Sequence, residues 1–189
     1  MRPKSLVGGI ICCLVLGGAL LAAAPQDTRY PDVPYVPTSP QVVEGMLKLA
    51  GVNSKDTLYD LGCGDGRIVV MAAQKFGAHA VGVDIDPERI KEANENATKA
   101  GVNGKVKFVQ GDLFTVPIKD ASVVSLYLLR TVNMKLRPRL LTELKPGTRI
   151  VSHTFDMGDW KPDKEAEING SRIYLWTVPK EPPKLSDAQ

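Results

Sequence analysis

The chain has 189 residues, 43% hydrophobic and 24% charged, with a formal net charge of +3. That length suits one domain with a real core, and the mild charge, with no block of lysine and arginine, does not indicate nucleic acid as an obligatory partner. Two histidines argue against a metal site, and with Cys12 and Cys13 in an N-terminal apolar run, Cys63 alone in the domain gives no disulfide framework.

Residues 1–25 read as a signal peptide or a membrane anchor. Arg2 and Lys4 precede an apolar run from Leu6 to Ala24, and Ala22-Ala23-Ala24 has the form of a cleavage site, although Pro25 is an awkward residue to follow one. The run is also nearly long enough to cross a bilayer. The charges put the N-terminus inside and the domain across the membrane. The expectation is a membrane-associated or exported protein, held through residues 5–24, with the side open.

Residues 26–40 are proline-rich and read as an extended linker. Their end, Pro34-Tyr35-Val36-Pro37-Thr38, reads either as linker packing and a helix cap or as a lid whose ring and hydroxyl close over a ligand. The main domain follows over residues 41–180. Its first helix carries Val42, Val43, Met46, Leu47 and Ala50, with Thr38 or Ser39 as cap and Gly51 as stop.

The centre of the chain is Thr57 to Ala73. A short strand ends at Asp60. Gly62, Gly64 and Gly66 follow at alternate positions, and then a helix begins near Arg67. Strand, glycine turn and helix open a doubly wound α/β fold, and the helix start offers free N–H groups to a ligand. The dinucleotide pattern G-x-G-x-x-G would need glycine where Arg67 stands. The pattern D-x-G-x-G-x-G instead resembles motif I of the class I S-adenosylmethionine (SAM) methyltransferases, whose cofactor carries an ammonium and a sulfonium.

A second strand, Ala80 to Val83, ends at Asp84, placed to accept from both ribose hydroxyls of a nucleoside. Asp86-Pro87 caps the next helix. The third strand, Val106 to Val109, leads to Asp112, either a turn residue or an acceptor for an adenine amine. Parallel strands bring their C-terminal ends to one edge, so Asp60, Asp84 and Asp112 are expected to converge there.

The fourth strand, Ser122 to Leu126, exits through Tyr127-Leu128-Leu129. It lacks the Asn/Asp-Pro-Pro-Tyr/Phe that enzymes methylating adenine N6 or glutamine amides usually place there. A helix is predicted over Met134 to Leu144, with Pro138 tolerable only near its start. Arg149 to Ser152 is a fifth strand leading to His153, which reads as structural or substrate-facing. Asn169-Gly170 predicts a hairpin between 165–168 and 172–178, and residues 181–189 form a tail. The whole implies an α/β, mostly parallel seven-stranded sheet with a C-terminal antiparallel hairpin.

Pro34-Tyr35-Val36-Pro37-Thr38, Tyr127-Leu128-Leu129 and Ser152-His153-Thr154-Phe155-Asp156 with Trp160 resemble a small family of protein-lysine methyltransferases. It includes archaeal enzymes and those acting on the ATP synthase c-subunit and the adenine nucleotide translocase. The resemblance covers roughly Tyr30 to Pro179. It implies SAM as cofactor, held by Tyr35, Thr38, Asp60, Gly62, Gly64, Gly66, Asp84 and Asp112, and a protein substrate. Tyr127, Asn133 and His153 are the candidates for orienting its lysine amine. Small-molecule methylation and a non-catalytic SAM-binding role stand as alternatives; no metal and no nucleic acid enter.

Overall fold

The computed structural model describes residues 35–185. Along the chain they form α1 (Pro40–Leu49), β1 (Thr57–Leu61), α2 (Arg67–Phe76), β2 (His79–Asp84), α3 (Pro87–Lys99) and β3 (Val106–Gln110). Then come β4 (Val123–Leu126), α4 (Arg130–Glu143), β5 (Arg149–His153), β6 (Lys164–Ile168) and β7 (Ser171–Thr177). One seven-stranded sheet runs in the order β3-β2-β1-β4-β5-β7-β6. The first five strands are parallel, while β7 runs antiparallel to both β5 and β6. This is the fold expected from the sequence. Strand order reverses between β1 and β4, which opens a crevice at their C-terminal ends.

Successive side chains of a strand face opposite ways, so the nearly continuous burial of β4 and β5 lets the sheet bury both faces. Leu58, Val123, Val151 and Ile173 pack with Met46, Leu47 and Val69 of α1 and α2. Leu61, Val124, Ile150 and Trp176 pack on the other side with Leu136 and Leu140 of α4. Trp176 is fully buried and its Nε1 donates to the Trp160 carbonyl at 2.8 Å, so its one polar atom is satisfied. Ser39, rather than Thr38, caps α1, accepting from the Val42 N–H at 3.5 Å. Asp86 caps α3, accepting from the Glu88 N–H at 2.8 Å. Asn169 and Gly170, at φ 50° and 76°, make the turn from β6 to β7.

Gly66 decides how closely these layers meet. Its φ is 76°, and a Cβ there would lie 2.7 Å from the Phe108 ring and 2.8 Å from the Ala93 Cβ. Gly66→Ala therefore combines left-handed strain with a clash against β3 and α3. A loss of about 2–4 kcal/mol is expected, read as a fall of several degrees in melting temperature; an unchanged melting temperature would refute this packing role.

Two expectations are corrected. Helix α4 begins at Arg130, a turn earlier than predicted, and Pro138 lies in its interior. An interior proline costs about 3 kcal/mol, but long-range contacts hold this helix. Val132, Leu136 and Leu140 are buried. Buried Arg137 donates to the Met157 carbonyl at 3.0 Å and pairs with Asp159. Arg139 donates to the carbonyls of Leu113 and Val116, each at 2.8 Å.

The second correction concerns location. Among the described residues no helix is long and apolar enough to cross a membrane, which is the finding against the reading of a membrane-held protein. The leader or anchor expected over residues 1–25 lies outside the described residues.

Candidate cofactor and substrate site

Each acidic strand tip is placed by its strand's register. Asp60 sits beside Ser125 of β4, is 2% exposed, and accepts from the Ser125 hydroxyl at 2.7 Å. Burial raises its pKa from 3.8 to about 7; the Ser125 bond opposes this, and the charges of Asp84 and Asp65 add to it. Asp84 ends β2. Its carboxylate accepts from the Gly64 N–H at 2.8 Å and from the Asp86 N–H at 3.0 Å, so this pocket-lining group also fixes the glycine turn. Asp112, two residues beyond β3, is buried and accepts from the Phe114 N–H at 2.8 Å. All three line one pocket, together with Gly62, Gly64, Tyr127 and residues 35–38. Gly66 does not line it; its place is the packing described above.

Residues 35–38 close one side. The Tyr35 ring lies so near Gly64 that a Cβ there would come within 2.5 Å of it, at a φ of 52°. The Arg89 guanidinium lies over the same ring, 4.8 Å from its centroid. Arg67 ties the segment down, donating to the Thr38 carbonyl at 2.8 Å and to the Tyr35 hydroxyl at 3.2 Å. It also pairs with Asp65 at 2.6 Å. Burial alone would raise the Asp65 pKa, but this pairing outweighs it and holds the carboxyl below its ordinary range. The latching role of Arg67 was not read from the sequence. Its acid–base spacing with Asp65 was visible, but its partners Thr38 and Tyr35 lie 29 and 32 positions away.

The three residues proposed to orient an amine are placed differently. Tyr127 lines the pocket. Behind it stands His153, 5% exposed, with ring centroids 3.9 Å apart. Its Nδ1 is 3.2 Å from the hydroxyl of buried Thr38, and burial lowers its pKa, so the ring is neutral at pH 7. Asn133 is fully buried in the first turn of α4. Its Nδ2 donates to the carbonyls of Phe155 at 3.1 Å and Asp156 at 3.3 Å, so it holds the loop after β5 and does not line the pocket. Cys63 is in the pocket wall, and burial pushes its thiol well above its ordinary pKa, which disfavours the nucleophilic thiolate. Among the described residues, no group of three or more His, Cys, Asp or Glu could hold a metal.

Five aspartates line the pocket against Arg67 and Arg89, and Arg67 is committed to Asp65. That balance would repel a pyrophosphate. Buried Asp60, whose charge is incompletely compensated, suits a cationic group, and Asp84 at the neighbouring tip suits vicinal hydroxyls. The residues present therefore fit a sulfonium nucleoside.

Comparisons with known proteins agree. The family described as the ANTKMT methyltransferase domain matches residues 60–164. A protein-lysine N-methyltransferase of Saccharolobus islandicus (strain REY15A) is 47% identical over 78% of this chain and 95% of its own length. The adenine nucleotide translocase lysine N-methyltransferase of Mus musculus is 33% identical over 82% of this chain and 67% of its own length. A solved structure described as an RNA methyltransferase from Salinibacter ruber, in complex with S-adenosyl-L-homocysteine, is 54% identical. It superposes with a TM-score of 0.78 over 79% of this chain and 97% of that one.

Proposed function

Because the chain belongs to the ANTKMT methyltransferase family and is a SAM-dependent methyltransferase, we propose that its substrate is a lysine side chain of a protein. The observation that carries this reading is the make-up of the pocket's far wall. Tyr127 lines it, backed by a neutral, buried His153 already engaged with Thr38, and among the described residues no histidine or lysine lines the pocket to serve as a general base. A lysine amine of pKa about 10.4 must lose a proton before attack, at a cost of about 4–5 kcal/mol at pH 7.

Bound SAM supplies an electrophilic methyl group on a cationic sulfonium. The residues contribute position and exclusion of water. In this reading Asp84 accepts from the ribose hydroxyls, Asp112 from the adenine amine, and Asp60 faces the ammonium. Residues 35–38 close over the ligand, with Tyr35 and Thr38 held by Arg67 and His153. Tyr127 touches the incoming amine, while Asn133 and His153 are positioning residues. The domain divisions at residues 26–40, 41–180 and 181–189 belong to the same proposal.

RNA is the second reading, favoured by the 54% identity to a structure described as an RNA methyltransferase. The exit from β4 through Tyr127-Leu128-Leu129 speaks against adenine N6 as its target. Incubating the purified enzyme with labelled SAM and fractionated extracts separates the two. Methyl-lysine in the hydrolysate of a labelled protein is expected; label confined to RNA or to small molecules would overturn the lysine reading.

A further inference from the structure

The loop after β5 holds a strained turn. Thr154 has a φ of 66°, a conformation unfavourable for a β-branched residue. The Phe155 N–H donates to the His153 carbonyl at 2.8 Å. A bond from residue i+2 back to residue i, around a left-handed centre, is the rare and strained form of γ-turn. Strain of this kind persists only where the surroundings over-determine it, and here they do. The Thr154 N–H donates to the Arg172 carbonyl at 2.7 Å. The Phe155 carbonyl accepts from the Ser152 hydroxyl at 2.7 Å and from Asn133 Nδ2 at 3.1 Å.

The turn brings two rings to a third. His153 lies 3.9 Å from the Tyr127 ring, and Phe155 lies 6.5 Å from it and nearly parallel, at 26°. Tyr127 and Phe155 keep partial exposure while His153 is buried. Tyr127 lines the pocket, so the aromatic surface borders it. Aromatic faces attract alkylated ammonium groups through their quadrupole, and an uncharged His153 behind Tyr127 adds no repulsion.

We propose that Tyr127 and Phe155, held by the γ-turn at Thr154, form an aromatic wall that binds the cationic methylammonium head of the substrate lysine and retains it through successive methyl transfers. This rests on the lysine reading and adds to it a recognition chemistry and a product outcome. A methylated amine held on the wall loses a proton to solvent and meets a fresh cofactor before leaving, so higher methylation states accumulate.

The test uses the enzyme with S-adenosylhomocysteine bound. The probe is Nα-acetyl-trimethyllysine amide, compared with its neutral carbon isostere, in which the trimethylammonium becomes a tert-butyl group. Wild type should bind the cation at least about tenfold more tightly than the isostere. Phe155→Leu and Tyr127→Leu should lose that preference, and Tyr127→Phe should keep it. Melting temperatures identify a variant that fails to fold, and the other leucine variant then carries the test. Equal binding of cation and isostere by wild type, or leucine variants that keep the preference, would overturn the wall. Extract labelling without methyl-lysine would instead overturn the lysine reading, so the two failures are distinguishable.

Discussion

Asp60→Asn should raise the melting temperature of the ligand-free protein and at the same time weaken SAM binding by about 10- to 100-fold. Both effects follow from a carboxylate fully removed from water. Its pKa rises from 3.8 to about 7 on folding, mainly through burial. A raised carboxyl pKa means that the folded state binds the proton more tightly than the unfolded chain. Its contribution to stability is therefore fully present below pH 4 and is lost as pH climbs to about 7, a change of about 4 kcal/mol at most.

Asparagine removes that charge while keeping an acceptor for the Ser125 hydroxyl, so the gain in stability should be larger at pH 8 than at pH 5. The loss of affinity is that of one charge-assisted hydrogen bond to the cofactor ammonium, about 1.5–3 kcal/mol. In wild type the same group should make SAM affinity fall about tenfold per pH unit below pH 7, because the neutral acid must release its proton before pairing. Thermal melts at pH 5 and pH 8, with calorimetric titrations over that range, check this. A variant less stable than wild type at pH 8, or affinity flat from pH 5 to pH 7, would refute the role given to Asp60.

Asp84→Ala should be the more damaging change for the cofactor, weakening SAM binding at least about 100-fold. Two hydrogen bonds from ribose hydroxyls to a carboxylate account for about 3–6 kcal/mol. The substitution also frees the N–H groups of Gly64 and Asp86, which the carboxylate now holds at 2.8 and 3.0 Å. The glycine turn would then loosen, as would the start of α3. Asp84→Asn keeps an acceptor and should fall between wild type and alanine. Calorimetric titration of the three proteins with SAM gives the order directly. Equal affinities for wild type and Asp84→Ala would mean that the ribose lies elsewhere.

Much of the frame was legible because its causes are local. An aspartate at a strand end, alternating glycines, Asp86-Pro87 and Asn169-Gly170 each prescribe a backbone shape within a few residues, and each element appeared where that chemistry put it. Parallel topology then brought Asp60, Asp84 and Asp112 to one edge. What could not be read depends on contacts distant in sequence. The bond between Thr38 and His153 spans 115 positions, so the capping of α1 was undecided between Thr38 and Ser39. Pro138 argued for a later helix start, and the side chains that overrule it reach back to Leu113 and Val116 and forward to Met157. Asn133 belongs to a loop by its place after β4, yet it sits in a helix and holds Phe155 from beneath. Phe155 stood in the sequence only as part of Ser152-His153-Thr154-Phe155-Asp156, with no role of its own, because its position depends on a positive-φ threonine that no propensity would assign.

The most direct test of the account is a crystal structure with S-adenosylhomocysteine bound. The predicted complex has the ribose hydroxyls on Asp84, the adenine amine on Asp112, the ammonium facing Asp60, and the sulfur pointing toward Tyr127. A ligand lying outside this hollow, or reversed so that the adenine meets Asp60, would contradict it.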